Sequence, residues 1–252
     1  MSELDDVVAT VRAWIEEAEK VVVVTGAGIS TDSGIPDFRG PQGVWTKNPK
    51  AEKTSDISYY LDDPEVRRLA WQNRVDSRAW TAEPNEGHRC LAVLQRRRKL
   101  HTIITQNVDG LHQLGGVDPE RVVEIHGTIR EVMCMGCDYR DDITVALDRV
   151  RAGETDPDCP SCGGILKSAT ISFGQSLVAA DLVRAEVAAQ SCDVMLAVGS
   201  TLAVWPAAGV VPLAKRHGAK VVILNHQPTE MDDLADVVIN DSISEVLPRL
   251  VR

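Results

Sequence analysis

The chain has 252 residues, of which 44% are hydrophobic and 25% charged, a composition typical of a globular protein with a real core. Its net charge of −10 argues against direct nucleic-acid or membrane-surface binding, because phosphate contacts need clustered lysines and arginines. No stretch reaches the roughly 18 apolar residues of a membrane span, and the acidic N-terminus is not expected to be a secretory signal. Four of the six cysteines form two CxxC pairs, which favours a cytoplasmic, metal-binding protein over a disulfide-bonded one.

Short β-branched runs alternate with helical patterns, which predicts an α/β fold with a mostly parallel sheet. The runs are nearly continuously apolar, as expected for strands covered on both faces. Strands are predicted at residues 21–24, 103–104, 122–125, 194–198, 221–224 and 237–239. Helices are predicted at residues 4–19, 86–98, 179–190, 207–217 and 244–251. Two stretches, 31–80 and 128–170, break the alternation and are interpreted as insertions that form a small second domain.

Polar and small residues follow five of the predicted strands. They are Thr25 to Ser30, Gln106 to Asp109, His126-Gly127, Gly199-Ser200-Thr201 and Asn225-His226. The carboxyl ends of parallel strands meet at one crevice, so these residues predict a site for a large polar ligand.

The first of these turns, Gly26-Ala27-Gly28, would let the backbone approach phosphate oxygens. It lacks the full dinucleotide fingerprint, because Thr31 stands where a third glycine is needed and no acidic residue ends the next strand. By itself it fits an ordinary tight turn as well as a nucleotide site. The other strand ends favour the nucleotide.

His126 lies at the ligand edge, where a neutral imidazole is suited to general-base chemistry. Asn107 and Asp109 share the neighbouring loop, where they fit either an Asx turn or contacts to ribose hydroxyls and a carboxamide. Structural or exposed positions are expected for the other histidines, which are His88, His101, His112, His217 and His226.

Two CxxC pairs, Cys134 with Cys137 and Cys159 with Cys162, are separated by 21 residues. This spacing predicts a tetrahedral zinc site with four thiolate ligands. Four protein ligands leave no open coordination position, which indicates a structural metal and not a catalytic one.

Five segments together resemble the sirtuin family. They are GAGISTDSGIPDFRG at 26–40, TQNVDGLH at 105–112, His126-Gly127, the four cysteines and GSTLAVWP at 199–206. The resemblance spans about residues 20–245 and implies a large Rossmann-like domain and a small helical, zinc-binding domain, with NAD and an acyl-lysine protein bound between them. On this basis the large domain is predicted at 1–30, 81–127 and 171–252, and the small one at 31–80 and 128–170. A monomer is expected.

The resemblance implies roles for individual residues. NAD would be contacted by Gly26, Ala27, Gly28, Ser30, Thr31, Asp37, Phe38, Arg39, Gln106, Asn107, Val108, Asp109, Ser200, Thr201, Asn225 and Ile243. The peptide would lie as an added strand between two segments, Phe173-Gly174 and Leu202-Ala203-Val204. Trp71 and Arg74 would border the acyl group.

The resemblance also implies a reaction. The acyl-lysine oxygen attacks C1′ of the nicotinamide ribose, nicotinamide leaves, and His126 acts as the general base. The products are lysine and O-acyl-ADP-ribose, and the zinc takes no part in bond breaking.

Several positions depart from the family pattern, and they bear on substrate choice. GSTL replaces GTSL, Ser168 stands where proline is common, and Ser172 and Gln175 flank Phe173-Gly174 in place of an aromatic residue and glutamate. Members that remove succinyl or malonyl groups carry a Tyr-x-x-Arg pair. Here Trp71 and Arg74 occupy that spacing, so the arginine is present but the tyrosine is absent. Acetyl-lysine is therefore favoured.

Other functions stay open on the sequence. Within enzymes, they are a desuccinylase or demalonylase and an NAD-dependent protein mono-ADP-ribosyltransferase. Outside enzymes, the alternative is an NAD-sensing zinc scaffold, which the presence of His126 disfavours. A dehydrogenase is disfavoured by the missing acidic ribose residue.

Overall fold

A computed structural model describes residues 3–37, 43 and 54–252. Within these residues the strands are β1 (Val21–Thr25), β2 (Leu100–Thr105), β3 (Val122–Glu124), β4 (Gly127–Cys134), β5 (Arg140–Asp142), β6 (Leu166–Thr170), β7 (Val194–Val198), β8 (Lys220–Leu224) and β9 (Val237–Ile239). The α-helices in the same residues are α1 (Glu3–Glu17), α2 (Ile57–Asp62), α3 (Pro64–Val75), α4 (Glu86–Arg96), α5 (Leu111–Leu114), α6 (Thr144–Arg151), α7 (Ala179–Ser191), α8 (Val210–Arg216) and α9 (Ile243–Val251).

In the described part of the chain, six strands form a parallel sheet in the order β3-β2-β1-β7-β8-β9. Successive side chains of a strand point to opposite faces, and β1 shows this directly. Val21 and Val23 pack with α1, α4 and α9 on one face, whereas Val22 and Val24 pack with α7 and α8 on the other. The predicted parallel sheet with two covered faces is therefore confirmed.

A second, antiparallel sheet lies in the stretch 127–170, where β4 pairs with both β5 and β6. The sequence reading placed the zinc site in this stretch but did not identify the sheet, because β5 has three residues, all exposed, and shows no apolar alternation. A second difference concerns residues 207–217, where a 3-10 turn (Ala207–Gly209) precedes α8 in place of one continuous helix.

The two insertions pack against each other around a small core of their own. Trp71 of α3 lies in one apolar cluster with Val132 of β4, Leu147 of α6 and Leu166 of β6. The first insertion thus adds helices to the sheet of the second. The residue boundaries given above for the two domains stay a prediction.

The four cysteines meet at one end of the small sheet, with their sulfur atoms all within 4.8 Å of one another. The Sγ atoms of Cys134 and Cys162 are 3.5 Å apart, and those of Cys137 and Cys159 are 3.7 Å apart. A tetrahedral ion with Zn–S bonds of about 2.3 Å spaces its sulfurs by about 3.8 Å, so the cluster fits zinc. Bound there, zinc would join the strand end at Cys134 to the loop that carries Cys159 and Cys162.

Among the residues that the structure describes, none of the helices is long and apolar enough to span a membrane.

We expect Cys134→Ser to lose zinc and to lower the melting temperature, because a structural zinc site contributes directly to folding free energy. Metal analysis by mass spectrometry and thermal unfolding measure the two effects. Cys192→Ser is the matched control, since Cys192 is also buried but lies outside the cluster. The control should keep its zinc. A Cys134→Ser chain with full zinc content and an unchanged melting temperature would contradict the metal site.

Candidate functional site

The strand order reverses between β1 and β7, which are neighbours in the parallel sheet. The segments that follow β1 and β7 leave the sheet at the same edge and diverge toward opposite sides. In open parallel sheets, ligands bind in the crevice that forms at this reversal.

The two segments touch through their backbones. The amide of Gly26 donates to the carbonyl of Val198 at 3.0 Å, and the amide of Gly28 donates to the carbonyl of Gly199 at 2.8 Å. A Cβ added to Gly28 would lie 2.7 Å from Cα of Gly199, and Gly199 itself has a φ of +66°. Both positions therefore require glycine.

A cavity of about 1410 Å³ opens above this contact and extends between the parallel sheet and the small sheet. Its volume exceeds the range usual for small-ligand pockets, which suits a dinucleotide together with a peptide side chain. The predicted site residues that line it are Gly26, Ala27, Gly28, Ser30, Thr31, Asp37, Trp71, Arg74, Gln106, Asn107, Val108, Asp109, His126, Phe173, Gly174, Ser200, Thr201, Val204, Asn225 and Ile243.

Two of the predicted substrate residues in the described part of the chain do not line the cavity. Leu202 is fully buried and packs in the apolar core beneath β7, and Ala203 is also absent from the cavity wall. Phe38 and Arg39 lie outside the described residues.

Side-chain hydrogen bonds tie the loop after β2 to the turns after β1 and β7. Gln106 Nε2 donates to Ser200 Oγ at 3.0 Å, and Asn107 Nδ2 donates to the carbonyl of Gly26 at 3.1 Å. Asp109 forms the Asx turn, the first of the two interpretations given above, and its contact to a ribose hydroxyl stays a prediction. One carboxylate oxygen accepts from the amide of Leu111 at 2.9 Å, as in an Asx turn, while the other accepts from Ser30 Oγ at 2.8 Å.

His126 lies on the cavity wall with Nδ1 3.1 Å from the carbonyl oxygen of Gln106. A carbonyl can only accept, so Nδ1 carries the proton and the lone pair is on Nε2. Burial lowers the pKa of His126 below its ordinary value of 6.5, and the bond to Gln106 opposes this in part. The imidazole is therefore neutral near pH 7, the form that acts as a base.

His88 and His112 form a buried pair beneath these loops, with ring centroids 5.1 Å apart. Burial lowers the pKa of His88 to about 4 and that of His112 to about 3, so both rings are neutral. His112 Nε2 lies 2.8 Å from Thr25 Oγ1 at the end of β1. These rings support the site from below and do not line the cavity. His226, in contrast, lines the cavity.

The sequence reading missed Lys167, which lines the cavity from β6 beside Ser168. The available signal was a single lysine inside a short strand that is otherwise small or apolar, an unusual residue for a buried position.

The comparisons with known proteins give the family. The model of the Sir2 family matches residues 26–206. An NAD-dependent protein deacetylase 2 from Streptomyces coelicolor is 50% identical over 92% of this chain and 96% of its own length. An NAD-dependent protein deacetylase 1 from Bradyrhizobium diazoefficiens is 43% identical over 98% of this chain and 96% of its own length.

Solved structures agree in fold. One Sir2 enzyme matches with a TM-score of 0.88 and 36% identity, covering 98% of this chain and 97% of the other. A Sir2 protein solved with a p53 peptide and NAD+ matches with a TM-score of 0.84 and 31% identity, covering 94% of each chain. The match of the family model over most of the chain, with the glycine turn, His126 and the four cysteines in place, shows that the chain belongs to the Sir2 family, the sirtuins.

Proposed function

We propose that this chain removes acyl groups, acetyl first among them, from protein lysines and consumes NAD in doing so. The observation that carries the proposal is the position of His126. Its neutral ring lies on the wall of the same cavity that begins at the contact between Gly28 and Gly199. A general base and a glycine turn suited to a phosphate lie in one cleft, an arrangement that suits the activation of a ribose hydroxyl.

NAD would lie along the edge of the parallel sheet. The turn at Gly26 to Gly28 would lie against the pyrophosphate, because all three residues line the cavity beside Ser200. The amides of Gly26 and Gly28 already donate to backbone carbonyls, so Ala27 would supply the amide. Asn225, which is 8% exposed and follows β8, would bind the adenosine ribose. Gln106 to Asp109 would border the nicotinamide ribose. Bound in this way, NAD supplies an electrophilic C1′ and nicotinamide as the leaving group.

The residues of the chain then act on protons and positions. His126 Nε2 would accept a proton from the ribose hydroxyls, since Nδ1 is already held by the carbonyl of Gln106 at 3.1 Å. The proton would leave the ring toward solvent or product. Asp109 would hold Ser30 through their 2.8 Å hydrogen bond, which would keep the loop after β2 in place against the turn after β1.

The acyl-lysine peptide would enter between the loop at Phe173 and the loop at Val204. Phe173 is 41% exposed and Trp205 is 63% exposed, an apolar rim suited to a peptide backbone. The backbone of Phe173 already bonds to Ser55 and Ile57, so added-strand hydrogen bonds would fall on its neighbours. We also propose a cytoplasmic location, because the CxxC pairs form a metal site and not disulfides. A monomeric state is proposed as well.

We expect His126→Ala to lower deacetylation by about 100- to 10,000-fold, the usual contribution of a general base. The measurement is mass spectrometry of an acetyl-lysine peptide incubated with NAD, in which free lysine peptide and nicotinamide should form in equal amounts. His217→Ala is the matched control, because His217 is exposed and lies outside the cavity. Full activity in the His126→Ala variant would rule out His126 as the general base. Nicotinamide release with ADP-ribose retained on protein would favour a mono-ADP-ribosyltransferase.

We expect the acid limb of the pH profile of kcat/KM to lie below pH 6.5. The reaction needs neutral His126, and burial lowers its pKa, so activity is complete at pH 7 and is lost as the pH falls through that lowered value. Initial rates between pH 5 and 8 measure the limb, and tryptophan fluorescence at each pH checks that the chain remains folded. An acid limb above pH 6.5 with an intact fold would contradict the assignment.

A further inference from the structure

Arg130 on β4 joins the small sheet to the loop that follows β2. Its Nε and Nη2 atoms donate to the carbonyl oxygen of Asp109 at 3.2 and 2.9 Å. Beside this pair of bonds, the amide of Ile129 donates to the carbonyl of Val108 at 3.0 Å. Two neighbouring residues of β4 thus hold two neighbouring carbonyls of the loop that is proposed to border the nicotinamide ribose.

The guanidinium of Arg130 lies in a fitted space. Gly110 has a φ of +74°, and a Cβ added there would lie 3.0 Å from Nε of Arg130, so a side chain at Gly110 would crowd the arginine. The guanidinium carbon also lies 5.7 Å from the ring centroid of Trp80, a cation–π contact. The indole N–H of Trp80 is held in turn by the carbonyl of Arg74 at 2.6 Å. The arginine is therefore held by residues of both insertions and of the loop.

The position of Arg130 along β4 explains why it can act on the loop. β4 begins directly after His126 and ends at Cys134 of the four-cysteine cluster. Its pairing with β6 is regular from Val132 to Cys134 but is interrupted between Gly127 and Val132. Arg130 lies in this interruption, so the middle of β4 bonds to the loop while its end stays fixed in the small sheet.

The bonds from Arg130 and Ile129 complement those that the loop forms with the parallel sheet. On that side, the side chains of Gln106, Asn107 and Asp109 bond to the turns after β1 and β7. On the side of the small sheet, it is the main chain of the loop that is held. A charged donor contributes more than a neutral one, and without Arg130 the carbonyl of Asp109 would lose both of these bonds.

From these contacts we propose that Arg130 is a positioning residue for NAD, which holds the loop from Gln106 to Asp109 where the nicotinamide ribose would bind. Arg130 does not itself line the cavity, so it acts through the loop and not by touching the cofactor. The inference rests on the use of NAD proposed above and adds a residue of the small sheet to it.

The test measures initial rates of deacetylation with NAD and an acetyl-lysine peptide, each varied while the other is saturating. We expect Arg130→Met to raise the KM of NAD by about tenfold or more, because methionine keeps an apolar stem but removes both bonds to the loop. The KM of the peptide should not change. Arg130→Lys should raise the KM of NAD less, by about threefold, because an ammonium can still donate one bond to the same carbonyl.

Arg140→Met is the matched control. Arg140 lies on β5 of the same small sheet, is exposed and pairs with Glu131 at the surface. The control removes the same charge from the same sheet without touching the loop, so both KM values should stay at the wild-type level. Melting temperatures of all three variants show whether each chain is folded.

Three outcomes would overturn the positioning role of Arg130. They are an unchanged KM of NAD in Arg130→Met, an equal rise in both KM values, as a general loosening of the cleft would cause, and a lower kcat with both KM values unchanged. A wild-type chain without NAD-dependent turnover overturns the proposed function, and this inference with it. If Arg130→Met does not fold, Arg130→Lys decides: a threefold rise in the KM of NAD is expected, and the wild-type value overturns the inference.

Discussion

The close contact between the turn after β1 and the segment after β7 is the constraint on which the site depends. Gly28 and Gly199 approach so closely that a Cβ on either would meet backbone atoms at less than 3 Å. This contact closes the floor of the cleft with main-chain atoms alone. The amides of Gly26 and Gly28 donate to the carbonyls of Val198 and Gly199, which fixes the path of the first turn.

The loops above that floor are held by hydrogen bonds between strand ends and not by an apolar core. Gln106 reaches Ser200, Asn107 reaches Gly26, and the carbonyl of Gln106 selects the tautomer of His126. One loop thus links three strand ends and orients the ring of His126. Because the same loop also binds Asp109 to Ser30, a change at any of these positions would alter several contacts together.

The small domain supplies the other wall and gives the cleft its chemical asymmetry. On the side of the parallel sheet, the wall offers amides, hydroxyls and a neutral imidazole. On the side of the small sheet, it offers Trp71, Arg74 and Lys167 beside an apolar cluster.

The sequence by itself determined the parallel sheet, the glycine turn, the position of His126 at the ligand edge and the four-cysteine cluster. Each of these depends on local signals, namely continuous β-branched runs, polar residues at strand ends and paired cysteines at fixed spacing. Leu202 shows the limit of such signals, since it belongs to a matching motif and yet is packed in the core.

Only the tertiary structure decided what long-range packing controls. The antiparallel sheet of the small domain includes β5, which is too short to show a period. Lys167 and Arg74 line one cavity only because β6 packs beside α3. The two residues are far apart in the chain, and neither has a pattern of its own. Their place in one cavity exists only once the two insertions fold against each other, which no local sequence signal records.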